Sequence, residues 1–289
     1  MGRIGDTIAK LQGKEPHIGW RVFFINYVIK RPFDRLRSSF RKWRCPFQFA
    51  EEGEFRLITI DKEISLYWPL EYGWRSVFSV WEELFFDYPG NYFSLYTPKQ
   101  DEVVIDAGAS EGLFALKIRH IVGTIHLFEP IPKLCDSLRK TFKDEIADQK
   151  VFVCPYALGE KKGRVRFFLD TGVIGSSRAA REGDEQTVEV PITTIDGYVE
   201  ENSIKRLDLI KMDIEGAEID ALKGAEKTLG TLRPRLLICT YHKPDDPERI
   251  GEFIQSFDYQ LFYSDIVKLD GDRPLFRPAF VYAVPFERR

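Results

Sequence analysis

The sequence predicts an α/β fold, an open doubly wound sheet with antiparallel strands at its C-terminal edge. Three observations lead to this prediction. From about residue 99, apolar runs typical of buried strands alternate with amphipathic helical segments. A turn with two glycines, "DAGASEG" at 106–112, follows the first of these strands. Two strand-like runs, "YQLFYS" and "AFVYAVP", end the chain with no helix between them.

Composition and charge narrow the class of protein. The chain has 289 residues, of which 44% are hydrophobic, enough for one large domain with a smaller addition. The net charge of -3 gives no overall indication of a nucleic-acid partner. The four cysteines lie far apart without a C-x-x-C pair, so neither a zinc site nor a disulfide framework is indicated. The longest early apolar run, residues 22–29, is far shorter than a membrane span of about 20 residues, and we expect a cytoplasmic protein.

Residues 1–50 are expected to form a basic helical extension. They contain 11 Lys or Arg against 3 Asp or Glu. Apolar residues recur at three- and four-residue steps between Phe33 and Trp43, with basic residues on the other helical faces. This stripe packs on the protein's own body or, in the alternative, residues 17–45 make a peripheral contact with an anionic membrane. We favour packing, because most amphipathic helices serve a core.

Residues 51–98 are expected to form a hairpin followed by a helix, both packed on the core. "FRLITI" and "ISLYW" flank a short polar turn and predict the hairpin. From Trp74 to Phe85, large apolar side chains fall on one helical stripe. Such a stripe could cover a substrate pocket, but core packing is the commoner role, so no chemistry is assigned to it.

The third unit, residues 99–289, carries the alternating pattern. Five apolar runs predict strands, and each is followed by a helical or a polar, glycine-containing segment. The runs are, in chain order, "EVVIDAG", "TIHLFEP", "VFVCPYAL", "LDLIKMD" and "RLLICTYH". Such alternation indicates parallel strands, and ligands of these sheets bind beyond the carboxyl ends of the strands. Candidate site residues are therefore expected where these runs end.

The turn at 106–112 predicts a site for a positively charged ligand. Gly108 and Gly112 let a ligand approach the backbone closely. The pattern is D-x-G-x-x-x-G and not the G-x-G-x-x-G of dinucleotide sites, and the carboxylates of Asp106 and Glu111 disfavour a phosphate. S-adenosylmethionine has a sulfonium, an ammonium and no phosphate, so it suits this turn.

Glu129 ends the second strand, 23 positions after Asp106, where a carboxylate can accept both hydroxyls of an adenosine ribose. NAD sites share this feature, so an NAD-dependent oxidoreductase stays an alternative, weakened by the missing third glycine. The third alternative is a non-catalytic nucleotide-binding module. Such a module would have no need of Asp106, Glu129 and Asp213 together.

An acidic block follows the fourth strand. Asp213 ends this strand, and Glu215 and Glu218 are expected to open the next helix, where helix capping alone could account for them. Lys211 is expected on the same strand face as Asp213 and can offset carboxylates that converge at this edge. The three acids could also hold a divalent metal, which would be magnesium because no histidine joins the block. A site without metal is the favoured expectation.

Methyl transfer from a sulfonium is an in-line displacement, and a base helps by removing the proton of the accepting hydroxyl. His242, at the end of the fifth strand, is the leading candidate for this base, and Asp213 is the alternative. A surface histidine that begins a loop is the simpler interpretation of His242. Lys211 and Glu215 complete the candidate catalytic set. The polar segment 172–177 is a candidate lid, with an ordinary loop as the default.

Five segments together carry a family resemblance. They are "VVIDAGASEGLFAL", "HLFEPIPKLCDSL", "YALGE", "VEVPITTIDGY" and "LIKMDIEGAEIDALKGAE". In these segments the chain resembles the FkbM-type S-adenosylmethionine-dependent methyltransferases, over roughly residues 99–265 and most distinctively at "KMDIEGAE". The resemblance implies a class I, Rossmann-like methyltransferase fold and O-methylation of a hydroxyl, with a sugar, a glycan or a secondary metabolite as acceptor.

The resemblance also implies a cofactor site with three parts, at the methionine end, the ribose and the adenine. The residues of these parts are, in turn, Asp106, Gly108 and Gly112, then Glu129, then Tyr156 and Ala157. Their neighbours Ala109, Ser110 and Pro130 complete the expected set.

Overall fold

The structure is a computed structural model. It describes residues 47–60, 62, 64–85, 91–170, 177–180, 183–264, 266–269 and 275–287. Nearly all of the expected basic extension, including the segment 17–45 considered for membrane contact, lies outside the described residues, as does most of the candidate lid at 172–177.

The N-terminal part of the described chain is a three-stranded antiparallel sheet followed by a helix. Its elements are β1 (Gln48–Glu52), β2 (Phe55–Thr59), β3 (Ser65–Pro69) and α1 (Arg75–Phe85). The predicted hairpin is the β2–β3 pair, and β1 adds a strand where the helical extension was expected to end. The apolar stripe of α1 is buried, as its periodicity predicts. This unit packs on the next domain through Tyr67, whose backbone N–H donates to Thr141 Oγ1 at 2.9 Å.

After a 3₁₀ turn at Tyr92–Ser94, strands and helices alternate along the chain. The first half contains β4 (Val103–Ala107), α2 (Leu113–Ile118), β5 (Thr124–Phe128), α3 (Pro132–Thr141), α4 (Lys143–Ala147), β6 (Val151–Cys154), β7 (Ala157–Leu158), β8 (Gly163–Phe168), β9 (Arg178–Ala179), β10 (Thr187–Thr193) and α5 (Ile195–Glu201). The second half contains β11 (Leu209–Met212), α6 (Glu218–Lys223), α7 (Glu226–Thr231), β12 (Arg235–Cys239), α8 (Asp246–Gln255), β13 (Tyr259–Tyr263), β14 (Ile266–Leu269), β15 (Leu275–Pro278) and β16 (Phe280–Pro285).

Within the described residues, the central sheet has seven strands in the order β13-β16-β12-β11-β4-β5-β6. The predicted doubly wound sheet is therefore confirmed. The predicted antiparallel pairing of the C-terminal strands is present: β16 inserts between β12 and β13 and runs antiparallel to both, and β13 is the edge strand. The chain leaves β4 toward β5 and later returns to the other side of β4 as β11. The strand order thus reverses between β4 and β11, and ligands of such sheets bind at this point of reversal.

Helices cover both faces of the central sheet because its strands are apolar on both sides. Alternate residues of a strand face opposite layers, so that Val104 packs in one core and Ile105 in the other. The first layer contains α1, α2 and α3, and the second contains α5 to α8. A separate sheet, in the order β7-β10-β8-β9, stands between β6 and α5 in the chain and borders the site described below. No helix of the described part combines the length and apolarity of a membrane span.

Candidate active site

The turn after β4 passes very close to the turn after β11. Gly108 has φ +78°, and a Cβ placed on it would lie 1.9 Å from the carbonyl oxygen of Asp213. No other residue fits this position, because both the backbone conformation and the space exclude a side chain. The amides of Gly108 and Ala109 donate to the Phe128 carbonyl at 3.0 and 3.1 Å, which holds the turn over the end of β5.

Gly112 is the N-cap of α2, the helix that follows this turn. It has φ +77°, and a Cβ on it would lie 2.8 Å from Phe142 Cε2 and 2.9 Å from Leu138 Cδ2. The second glycine thus lets α2 pack closely on α3 and on Phe142, which directly follows α3. Between the glycines, the backbone of Ser110 is also left-handed, with φ +43°. This conformation turns the Ser110 amide toward Glu129.

Glu129 follows β5 and is almost completely buried. Its Oε2 accepts from the Ser110 amide at 3.1 Å, and its Oε1 accepts from the Ile131 amide at 2.9 Å. Burial raises the pKa of Glu129 to about 7, although the two backbone donors partly oppose the rise. This carboxyl is therefore poised to ionise near neutral pH, beside the glycine turn.

Asp106 and Lys211 form a buried ion pair under the turn. They are direct neighbours in the β4–β11 register, which places both side chains on one face of the sheet. Lys211 Nζ lies 2.9 Å from Asp106 Oδ1 and also donates to the Gly108 carbonyl at 2.9 Å. Burial would lower the pKa of Lys211, but the charges of Asp106 and Asp213 raise it above its ordinary value. Burial raises the pKa of Asp106, and Lys211 offsets part of that rise. The ammonium thus balances converging carboxylates, as expected from the sequence.

A second group of charged side chains lies at the ends of β11 and β12. His242 stands three residues beyond β12 and not on the strand itself, yet it still reaches the rim of the sheet. Its Nε2 lies 3.3 Å from Asp213 Oδ1 and 3.7 Å from Glu215 Oε2, and its Nδ1 lies 2.9 Å from Glu218 Oε1. Burial would lower the pKa of His242, but the neighbouring carboxylates of Asp213 and Glu218 raise it to about 11. In this arrangement both ring nitrogens are protonated at neutral pH, and the ring is positively charged.

The three acids of the block have different surroundings. Glu215 does not open the helix as expected, since it lies in the preceding turn with φ +54°, and burial raises its pKa to about 7. Glu218 begins α6 and points inward, where its Oε1 accepts from the amides of Ile214 and Gly216 at 3.0 and 3.3 Å. Burial would raise the pKa of Asp213, but His242 and Lys211 hold it below its usual range. The expectation that no histidine joins the block is wrong, because His242 lies among these acids.

Two contributors to this region were missed in the sequence. Tyr92, in the 3₁₀ turn before β4, is buried and donates to Asp213 Oδ2 at 2.9 Å, with its Oη also 3.0 Å from Cys239 Sγ. In α1, burial raises the pKa of Glu83 to about 8, and the charge of Asp213 adds to the rise. The N-terminal unit, to which no chemistry was assigned, therefore bears on the electrostatics of the site. No local spacing marked either residue.

A cavity of about 660 Å³ connects the two groups of side chains. Its size is that of a typical small-molecule site. The expected site residues that line it are Gly108, Ser110, Glu129, Pro130, Tyr156, Ala157, Asp213 and Glu215. Asp106, Ala109 and Gly112 are buried beside Gly108 and Ser110. The small sheet closes another side of the cavity through Val165, Phe167 and Ile192.

Comparison with known proteins gives a family match over this region. The model of the Methyltransferase FkbM domain matches residues 106–261, more than half of the chain. Hexuronic acid methyltransferase AglP of Haloferax volcanii is 24% identical over 174 residues, 60% of this chain and 69% of that protein. The 2-O-methyltransferase NoeI of Sinorhizobium fredii is 25% identical over 153 residues, 47% of this chain and 62% of that protein.

Among solved structures, the crystal structure of Methyltransferase FkbM from Methylobacillus flagellatus aligns with a TM-score of 0.48 and 23% identity. The alignment covers 66% of this chain and 45% of that chain. The present chain thus spans less than two thirds of NoeI and less than half of the solved chain.

Proposed function

Because the chain belongs to the FkbM methyltransferase family, we propose that it transfers a methyl group from S-adenosylmethionine to a hydroxyl of a sugar, a glycan or a secondary metabolite. The observation that carries the proposal is the single cavity that joins Glu129 and the glycine turn to Asp213 and Glu215. Cofactor and acceptor can meet in it. The names of two relatives, a hexuronic acid methyltransferase and a 2-O-methyltransferase, favour a sugar-like acceptor.

The residues present fit this cofactor. Gly108 lines the cavity, and Asp106 Oδ2 is buried without a hydrogen-bond partner among the described residues. In our proposal Asp106 and the turn hold the charged methionine end, Glu129 accepts the ribose hydroxyls, and Tyr156 and Ala157 border the adenine. Lys211 has a positioning role, since it supports both the Asp106 carboxylate and the Gly108 carbonyl.

When bound, S-adenosylmethionine supplies an electrophilic methyl group on sulfur. The protein's part is to hold the acceptor oxygen in line and to deal with its proton. We place this second task in the cluster of Asp213, Glu215 and His242, of which Asp213 and Glu215 line the cavity. His242 is a positively charged imidazolium in the ligand-free arrangement. It can therefore act as a base only after it has lost one of its two ring protons.

Calorimetric titration tests the cofactor. S-adenosylmethionine should bind, and NAD should bind far more weakly, because the turn lacks a phosphate site. The ionised form of Glu129 accepts hydrogen bonds from both ribose hydroxyls. The affinity for S-adenosylmethionine should therefore be highest above pH 7. Below pH 7 it should decrease, with a slope that approaches about tenfold per pH unit. Glu129→Gln should weaken binding by about 10–100-fold and flatten this pH dependence.

The control is Glu252→Gln, which changes an exposed carboxylate of α8 and should bind like wild type. Tighter binding of NAD than of S-adenosylmethionine would overturn the proposal. Failure of both to bind would favour a non-catalytic module.

Turnover tests the role of the cluster. His242→Ala should lower turnover by about 10²–10⁴-fold while leaving S-adenosylmethionine affinity nearly intact, because His242 lies with Asp213 and not with Glu129. A transfer assay with labelled cofactor and cell extract as the source of acceptor measures this. His120→Ala, which removes an exposed histidine after α2, is the matched control and should keep full turnover. Unchanged turnover in the His242 variant would remove this residue from the mechanism.

A further inference from the structure

We propose that Asp213, Glu215 and His242 bind one divalent cation, with Glu218 fixing the histidine from behind. One ligand atom from each of the three residues lies within 4.8 Å of the others. His242 Nε2 stands 3.3 and 3.7 Å from the nearest oxygens of Asp213 and Glu215. Ligands placed about 2.1 Å from one ion are roughly 3.0–3.5 Å apart, so this spacing suits a shared cation.

The burial and the hydrogen bonding of His242 support the metal site independently of these distances. Its side chain is only 7% exposed, and neither ring nitrogen makes a well-directed hydrogen bond to any described residue. The Nε2 atom lies close to both carboxylates, at 3.3 Å from Asp213 Oδ1 and 3.7 Å from Glu215 Oε2. A buried imidazole nitrogen beside two carboxylates, with no well-directed hydrogen bond to either, suits a ligand position, and a bound ion would displace the Nε2 proton.

Glu218 supplies the outer support that metal-binding histidines require. Its side chain is 1% exposed, and its Oε1 lies 2.9 Å from His242 Nδ1, on the side of the ring opposite the pair of acids. The amides of Ile214 and Gly216 fix the same oxygen. A carboxylate on one ring nitrogen and a metal on the other is the common arrangement of metal-binding histidines.

The mixed ligand set bears on which ion binds. Magnesium was the alternative considered for an oxygen-only set of Asp213, Glu215 and Glu218, but Glu218 lies beside Nδ1 at the back of the histidine. One imidazole with two carboxylates favours a first-row transition ion such as Mn²⁺ over Mg²⁺. Asp213 and Glu215 line the cavity, so the ion would face the acceptor. Its role there rests on the proposed function: it would hold the accepting oxygen and lower the pKa of that hydroxyl.

Binding of the metal alone tests the site. The full chain is stripped with a chelator and titrated with Mn²⁺ in the absence of S-adenosylmethionine, and the loss of the free-ion electron paramagnetic resonance signal is followed. We expect one Mn²⁺ per chain, displaced only by a large excess of Mg²⁺. Glu215→Gln should weaken binding by more than about tenfold, and Glu218→Gln by about 10–100-fold. Asp220→Asn removes an exposed carboxylate beside the same cavity and should bind like wild type.

A second measurement does not depend on any variant folding. Electron spin-echo modulation of the Mn²⁺-loaded wild-type protein should show an imidazole nitrogen. No Mn²⁺ uptake at millimolar concentration, no nitrogen modulation, or equal binding by wild type and Glu215→Gln would each overturn the site. Because S-adenosylmethionine binding is measured separately, the two proposals can fail independently. Cofactor binding without Mn²⁺ uptake removes only the metal site, whereas Mn²⁺ uptake without cofactor binding removes only the proposed function.

Discussion

Replacement of Gly108 by alanine is expected to destabilise the protein by about 2–5 kcal/mol and to abolish detectable binding of S-adenosylmethionine. The left-handed backbone at φ +78° costs a residue with a Cβ about 1–2 kcal/mol. The remainder comes from overlap, because the new Cβ would stand 1.9 Å from the Asp213 carbonyl oxygen. That atom belongs to the backbone and can move only if the turn after β11 moves with it.

Gly53→Ala is the matched control, since Gly53 has φ +64° but no atom within 4 Å of a new Cβ. It should cost only about 1 kcal/mol and leave cofactor binding unchanged. Urea unfolding followed by tryptophan fluorescence gives both free energies of unfolding, and calorimetry gives the affinities. Equal losses in the two variants would show that the two turns are not held in close contact.

Local sequence patterns were sufficient for the main sheet and its glycine turn. Strand and helix periodicities are properties of neighbouring residues, so β4, β5, β11 and β12 could be placed from the sequence. Gly108 and Gly112 were correctly placed at the turn between β4 and α2. The crowding that makes Gly108 irreplaceable comes from Asp213, about a hundred residues later, and could not be seen locally.

Local sequence patterns could not predict the charge state of the cluster of Asp213, Glu215 and His242 for the same reason. His242 was correctly chosen as a residue of the rim, but its high pKa arises from Asp213 and Glu218 on another element. Tyr92 contacts Asp213 from a segment for which the sequence predicts only a turn. β1 was missed because its register is set by pairing with β2, and its own residues are exposed and carry no buried pattern.

Replacement of Lys211 by methionine is expected to be the most damaging change on the charged side of the turn, with a loss of about 3–5 kcal/mol in the free energy of unfolding. It leaves Asp106 completely buried beside Asp213 with no cation between them. Adding Asp106→Asn in the same chain removes the unpaired charge. The double variant should then be more stable than the sum of the two single losses predicts, by about 1–3 kcal/mol.

Lys227→Met is the control for the loss of a lysine, because its pair with Glu200 at 3.3 Å is exposed to solvent on both sides. It should cost less than about 1 kcal/mol. Urea unfolding of the four chains of the cycle and of the control measures these values at one pH. If the Lys211 and Lys227 variants lose the same stability, or if the Asp106 and Lys211 losses simply add, the ammonium does not balance the acids under the turn. The glycine loop would then owe its shape to backbone contacts alone.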